Sequence, residues 1–261
     1  MSKSVVITGA GQGIGRATAR VLTGERWLVV GVEIDDRIAT IGEADVAEMV
    51  IGDVSDYAVL EEAARRAQAL APLTGWVNNA ALSWRNTLHD ADAAAVEQVF
   101  AVNIGGPFWG SSVAVRSFIR QRVRGSIVNI SSVHGSGGFA GWAAYDTSKG
   151  AVEALTRYLA VEYGPVGIRA NAIAPGAVAT ERLLAEIAAS PNPERTRAAI
   201  DDTAPLRRMA DPREIAEPVA FLLSERASFL TGQIIKVDGG MSSTYGRSEV
   251  DPALAAAFGL K

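Results

Sequence analysis

The amino-acid sequence predicts an α/β fold, one domain built on a doubly wound, seven-stranded parallel sheet with helices on both faces. Three observations carry this reading. Short apolar, β-branched runs recur along the chain and are separated by stretches with helical spacing. Several of these runs are apolar without alternation, the pattern of strands covered on both faces. The first run opens at once into a glycine-rich turn and then a helix. Such alternation implies right-handed crossovers between parallel strands. No linker, internal repeat or composition shift divides the 261 residues, which suffice to bury a full core.

Val5-Val6-Ile7 forms the first strand, Thr8 to Gly15 the glycine-rich turn, and Arg16 to Leu22 the first helix. Trp27 to Glu33 is the second strand and Met49 to Ile51 the third. Ser55 or Asp56 can cap the helix that runs on to about Leu70. Gly75-Trp76-Val77 is the fourth strand, closed by Asn78-Asn79-Ala80-Ala81. From about Ala91 to Arg122 the spacing is helical, and Pro107 after Gly105-Gly106 should bend or divide it. Ser126 to Ile130 is the fifth strand, Ala144 to Glu162 a long helix, Ile168 to Ala174 the sixth strand and Ile234 to Val237 the seventh. A proline-broken helical stretch at 181–202 lacks a strand partner and reads as a lid. Residues 242–261 carry less pattern than the rest and read as a C-terminal extension.

Composition narrows the function classes. With 25 basic and 29 acidic residues the net charge is −4, which gives no reason to expect a nucleic-acid or anionic-membrane partner. There is no cysteine, so disulfides and thiol chemistry do not operate. No signal-peptide pattern and no apolar run of membrane-spanning length is seen, so a cytoplasmic location is expected. No metal site is expected.

Tyr145 and Lys149 offer a phenol and an ammonium four residues apart, on one face of the predicted helix. A nearby positive charge favours phenolate. Bringing a tyrosine from about 10 to near 7 takes about 4 kcal/mol of differential stabilisation. One lysine in a low-dielectric cleft, helped by a bound cationic ring, can supply that order of energy, and the product is a general base usable at neutral pH. The pair alone also fits an exposed helical contact.

At the other end, Gly9, Gly13 and Gly15 stand where backbone must approach a pyrophosphate and where the first helix presents its amides. A glycine cluster can be an ordinary tight turn, but this one follows a strand and opens a helix, the context the motif requires. Glu33 closes the second strand 18 residues after Gly15, where a carboxylate can accept from a ribose diol and repel a 2′-phosphate. Gln12 rather than a cation sits in the turn, and Arg37 is flanked by Asp35 and Asp36. The cofactor therefore reads as NAD rather than NADP.

Thr8-Gly9-x-x-x-Gly13-x-Gly15, Asn78-Asn79-Ala80-Ala81, Asn103 before Gly106-Pro107-Phe108, Ser132 in Asn129-Ile130-Ser131-Ser132, and Tyr145-x-x-x-Lys149 occur in an order and at spacings that resemble the classical short-chain dehydrogenases/reductases. Pro175-Gly176 with Thr180, and Val237-Asp238-Gly239-Gly240, look like that family too, so the match spans about residues 3–241. The resemblance implies a Rossmann-like sheet, usually in a homotetramer or homodimer. It also implies Tyr145 as general acid/base, Ser132 on the substrate oxygen, Lys149 on the nicotinamide ribose, and Asn103 positioning a water that links the lysine to solvent. Gln12 and Ile14 fall in the phosphate turn, Asp53 and Val54 at adenine, Asn79 and Ala80 on the adenosine-ribose side, and Pro175, Gly176, Val178 and Thr180 near the carboxamide. Ser131, Asn129, Asn171 and Asp238 read as structural, and Asp146, where the family often has a small residue, as part of an exposed helix face.

The physics agrees with these roles. As an alcohol is oxidised its hydroxyl proton leaves for the phenolate, and a fixed Ser132 hydroxyl stabilises the charge that develops on the oxygen. Substrate contacts are expected from the loops after the fourth and fifth strands and from the lid: Leu82, Ser83, Trp84 and Arg85, then Val133, His134 and Ser136, then Arg182, Leu183 and Leu184. Trp142 can wall the pocket or pack at an interface. The expected activity is NAD-dependent interconversion of a secondary alcohol and a ketone on a small or medium-sized molecule. The rivals are an NADPH-dependent 3-oxoacyl carrier-protein reductase and a dinucleotide-binding module that does no chemistry.

Overall fold

A computed structural model describes residues 2–42, 45–244 and 257. Seven strands, β1 (Ser4–Thr8), β2 (Leu28–Glu33), β3 (Glu48–Ile51), β4 (Leu73–Asn78), β5 (Ser126–Ile130), β6 (Arg169–Pro175) and β7 (Ile234–Val237), form one sheet in the order β3-β2-β1-β4-β5-β6-β7. Every pairing is parallel. The seven predicted strands are therefore all present. The winding direction reverses between β1 and β4, and in open parallel sheets ligands bind beyond the strand ends at such a point.

Alternate residues of the strands build two cores. Val6, Trp76 and Ile127 pack with Leu60 of α3 (Tyr57–Leu70), Phe118 of α5 (Gly106–Gln121) and Leu159 of α6 (Ala143–Tyr163). On the other face Val5, Ile7 and Val128 meet Leu22 of α1 (Gly13–Gly24) and Ile215 and Leu222 of α9 (Pro212–Leu223). Each such fully buried side chain contributes roughly 1.5–3 kcal/mol. The sheet is thus held from both sides while the carboxyl ends of its strands are left for loops.

Asp56, not Ser55, caps α3, its side chain accepting from the Ala58 amide at 2.9 Å. The helical stretch after β4 resolves into α4 (Ala93–Phe100), a π-turn over Ala101–Gly105, and α5. Pro107 lies in the first turn of α5, where a missing N–H costs nothing, so the division falls in the π-turn just before it. Two helices go beyond the sequence reading, α2 (Asp36–Gly42) and α9. The first is only seven residues long. The second contains Pro218, which interrupts a pattern that Asp211 and Glu214 start with a capping box. The 181–202 stretch forms α7 (Glu181–Ala188) and α8 (Pro193–Asp201). The expected C-terminal extension lies outside the described residues, apart from Ser242 to Thr244 and Ala257.

Candidate active site

Two elements carry the reacting end. β5 delivers Ser131 and Ser132 at its carboxyl end, and α6 begins opposite them. The first turn of α6 has no cap of its own, since Trp142 occupies that position without a side-chain bond. Asn86, from the loop after β4, supplies it: its Oδ1 accepts from the Ala144 amide at 3.1 Å and its carbonyl from the Ala143 amide at 3.3 Å. Buried Asn86 thus fixes the turn that presents Tyr145. Nothing in the sequence singles it out.

Ser132, Tyr145 and Lys149 line one cleft of about 640 Å³. The Tyr145 phenol is hydrogen-bonded with Ser132. Lys149 is 3 % exposed, and its Nζ donates to the Ile130 carbonyl at 2.9 Å while lying 5.4 Å from the Tyr145 ring centre. Burial lowers the lysine from 10.5 to about 8. The expected depression of Tyr145 is absent from the chain itself. Burial pushes the phenol up, the Ser132 hydrogen bond and the Arg182 charge pull it down by less, and Asp146 adds to the rise. One N–H of Lys149 goes to a carbonyl, and its place one helical turn from Tyr145 does not outweigh the burial of the phenol.

Asn103 sits in the π-turn and is buried. Its Oδ1 accepts from the Leu82 amide at 2.7 Å, and its Nδ2 donates to the Leu82 carbonyl at 2.8 Å and to Ser148 Oγ at 3.1 Å. It ties the loop after β4 to α6.

An aromatic wall continues the cleft from Tyr145. His134 stacks on Phe139 at 3.9 Å and meets Tyr145 and Trp142 edge-on at 5.1 and 5.4 Å. Trp142 therefore walls the cleft. Asp146 is no exposed face residue: its Oδ1 holds His134 Nδ1 at 2.6 Å, and its Oδ2 accepts the Phe139 amide at 2.8 Å. The departure from a small residue was the available signal, and its partner His134 lies twelve residues earlier in a different element. Leu183, Ser83, Arg85 and Arg182 also line the cleft, whereas Trp84 lines neither this cleft nor the next, its neighbours on both sides taking the positions expected of it.

A second cleft of about 470 Å³ runs over the glycine turn and shares Ile14, Asn79, Thr180 and Arg182 with the first. Gly9, Gln12, Gly13, Glu33, Asp53, Val54 and Ala80 line it, and Pro175, Gly176 and Val178 line the first. Gly15 lines neither but lets the helix approach, since a side chain there would run into the Gly9 carbonyl and the Asn79 amide. Asn79 donates to the carbonyls of Thr8 and Gly9 at 2.9 and 3.0 Å, locking the turn to β4. Glu33 is buried, and its Oε2 accepts the Gly11 amide at 3.1 Å. The Gly13 amide donates to Glu181 Oε2 at 2.9 Å, so the turn already holds an anion supplied by α7. The readings of Asn129, Asn171 and Asp238 as bracing groups agree with their bonds to Thr156, to Leu230 and Gln233, and to Gly240 and Ser242.

The family described as enoyl-(acyl carrier protein) reductase matches residues 9–242 of this chain. The 2-(S)-hydroxypropyl-CoM dehydrogenase 3 of Xanthobacter autotrophicus is 37 % identical over 92 % of the chain and 96 % of its own length. The chain belongs to the short-chain dehydrogenase/reductase family. Another member, the L-tagatose-forming galactitol 2-dehydrogenase of Cereibacter sphaeroides, is 41 % identical over 90 % of the chain and 92 % of its own length. The crystal structure of levodione reductase superposes with a TM-score of 0.88 at 32 % identity, covering 93 % of this chain and 98 % of that one. As a short-chain dehydrogenase/reductase the chain is an oxidoreductase acting on CH–OH groups with a nicotinamide dinucleotide. No helix among the described residues is long and apolar enough to cross a membrane.

Proposed function

We propose that this enzyme is an NAD-linked dehydrogenase that interconverts a secondary alcohol and a ketone, with Tyr145 as general acid/base. The observation that carries the reading is the continuity of the two clefts. Ser132 and Tyr145 meet in one, the glycine turn and Glu33 border the other, and Ile14, Asn79 and Thr180 belong to both.

The residues fit a dinucleotide. The Gly13 amide holds a carboxylate oxygen at 2.9 Å, an acceptor position a phosphate oxygen can take. A bound nicotinamide supplies the hydride acceptor or donor. Glu33, at the end of β2, accepts from the adenosine-side ribose and repels a 2′-phosphate. The cation that would answer that phosphate, Arg37, is ion-paired with Asp35 at 3.1 Å. Both observations support NAD over NADP.

In oxidation, Tyr145 takes the proton of the substrate hydroxyl while the Ser132 hydroxyl donates to the same oxygen and stabilises its developing charge. Lys149 holds a positive charge beside the phenol and faces the nicotinamide ribose, while Asn103 keeps the loop and helix around it in register. The α7–α8 pair acts as the lid. The names of the two relatives above support a carbinol substrate. Exposed Phe108 and Trp109 on α5 and Val161 on α6 support assembly with further copies of the chain, as a homotetramer or a homodimer. NADH formation from an alcohol panel tests the activity. Turnover with NADP but not NAD would overturn the cofactor assignment, and undiminished turnover in Tyr145→Phe would overturn the proton-transfer role.

A further inference from the structure

We propose that His134, held by Asp146, reads a second hydroxyl on the carbon next to the reacting carbinol, so that the substrates are vicinal diols and the matching α-hydroxyketones. This rests on the dehydrogenase reading and deepens it.

His134 is constrained from every side. Its backbone amide donates to Ser132 Oγ at 3.3 Å, its Nδ1 meets Asp146 Oδ1 at 2.6 Å, and its ring stacks on Phe139 at 3.9 Å with an interplanar angle of 25°. Asp146 is fixed in turn, because its second oxygen accepts the Phe139 amide at 2.8 Å. Turning the ring over would set a C–H against the carboxylate, so the arrangement has one stable orientation.

That orientation decides the chemistry on offer. A carboxylate only accepts, so Nδ1 carries the proton and Nε2 is the ring nitrogen left for the cleft. The side chain is 17 % exposed and lines the cleft. A hydroxyl, which both donates and accepts, can pair with Nε2, whereas a methylene cannot. The walls beside it are the rings of Phe139 and Trp142, whose one polar group is the Trp142 indole N–H. A substrate without a hydroxyl there leaves Nε2 without a substrate partner in a largely aromatic wall.

The place of this nitrogen bears on the substrate position. The imidazole lies 5.1 Å from the Tyr145 ring, and its residue follows Ser132 by two. Ser132 and Tyr145 converge on the reacting oxygen. A hydroxyl held by His134 while these two hold the reacting oxygen lies close to the reacting carbon, and the proposal assigns it to the adjacent one.

The test compares kcat/KM with NAD for matched pairs, 2,3-butanediol against 2-butanol and 1,2-cyclohexanediol against cyclohexanol, in the full chain. Wild type should favour each diol by about 100-fold, since a site built to bond a hydroxyl rejects the analogue that lacks it. His134→Phe should bring the ratio to within about 3-fold by slowing the diols far more than the mono-alcohols. His134→Gln, whose amide oxygen can accept, should restore part of the preference. Asp146 is a positioning residue, so Asp146→Asn should lower the ratio without the mono-alcohol rate falling in step. A wild-type ratio near one, or a ratio preserved in both His134 variants, overturns the inference and leaves the dehydrogenase reading standing. Failure of wild type to form NADH from either member of both pairs counts against the two together.

Discussion

The two ends of the cleft are built differently. At the reacting end the groups sit on β5 and α6 and are braced by buried or partly buried partners: Lys149 on the Ile130 carbonyl, Asn86 on the first turn of α6, Asp146 on His134. At the glycine-turn end the bracing comes from carboxylates, Glu33 on Gly11 and Glu181 on Gly13, and the second of these reaches in from exposed α7. Next to it, Arg182 is shared between Ser83 and Glu186, and its side chain is half exposed. The contrast suits the work of each end. Acid/base chemistry needs fixed geometry, because small displacements cost large factors in rate. Cofactor exchange needs contacts that can be replaced.

Several substitutions sharpen that contrast. The largest loss is expected at the braced end: Ser132→Ala should lower kcat about 10²–10³-fold, the usual cost of removing one donor from a developing oxyanion, with dinucleotide affinity unchanged by titration. Next comes cofactor choice. Glu33→Ser should shift the ratio of NAD to NADP affinity about 10- to 100-fold toward NADP, the worth of one or two hydrogen bonds to a charged group. Equal ratios before and after would show that Glu33 serves the fold alone.

Lys149 links function to stability. Its pKa falls from 10.5 to about 8 on folding, so between those values the unfolded chain binds more protons and stability rises with pH. Below about 8 the full penalty remains, roughly 3 kcal/mol. Lys149→Met should therefore stabilise the protein at pH 7 by about 2 kcal/mol, after about 1 kcal/mol is lost at the unpaired Ile130 carbonyl. The advantage should fade as the pH approaches 10.5, measured by denaturant unfolding across that range. An activity-dead variant that is also less stable at pH 7 would contradict the assignment of a buried charge.

Smaller effects remain. Asn86→Ala removes the cap of α6 and should cost about 1 kcal/mol of stability along with part of kcat. At the replaceable end, Glu181→Gln removes a carboxylate that competes with phosphate for the Gly13 amide, and should tighten dinucleotide binding a few-fold. Weaker binding in that variant would mean that Glu181 holds the lid in its binding position.

The sequence made the sheet legible because its strands are apolar and bounded by glycine, asparagine or proline, and it made Ser132, Tyr145 and Lys149 legible because their spacing is local. What it hid depended on contacts between distant elements. Asn86 looks unremarkable along the chain and Asp146 stands out only as a departure from the small residue the family often has there, yet one caps α6 from another loop and the other orients a histidine twelve residues away. Helix α9 was obscured by Pro218, although its capping box was written in Asp211 and Glu214. Helical spacing placed Lys149 beside Tyr145 correctly but not the direction of its ammonium, which the Ile130 carbonyl decides.

The most direct test is a thermal-unfolding titration with NAD and NADP on wild type and Tyr145→Phe, with NADH formation from an alcohol panel followed on both. Wild type and variant should be stabilised alike by NAD, by about 2.7 kcal/mol at 100 times the dissociation constant, and less by NADP, while only wild type forms NADH at a useful rate. Stabilisation by NADP in preference to NAD, or turnover in Tyr145→Phe within a few-fold of wild type, would contradict the account.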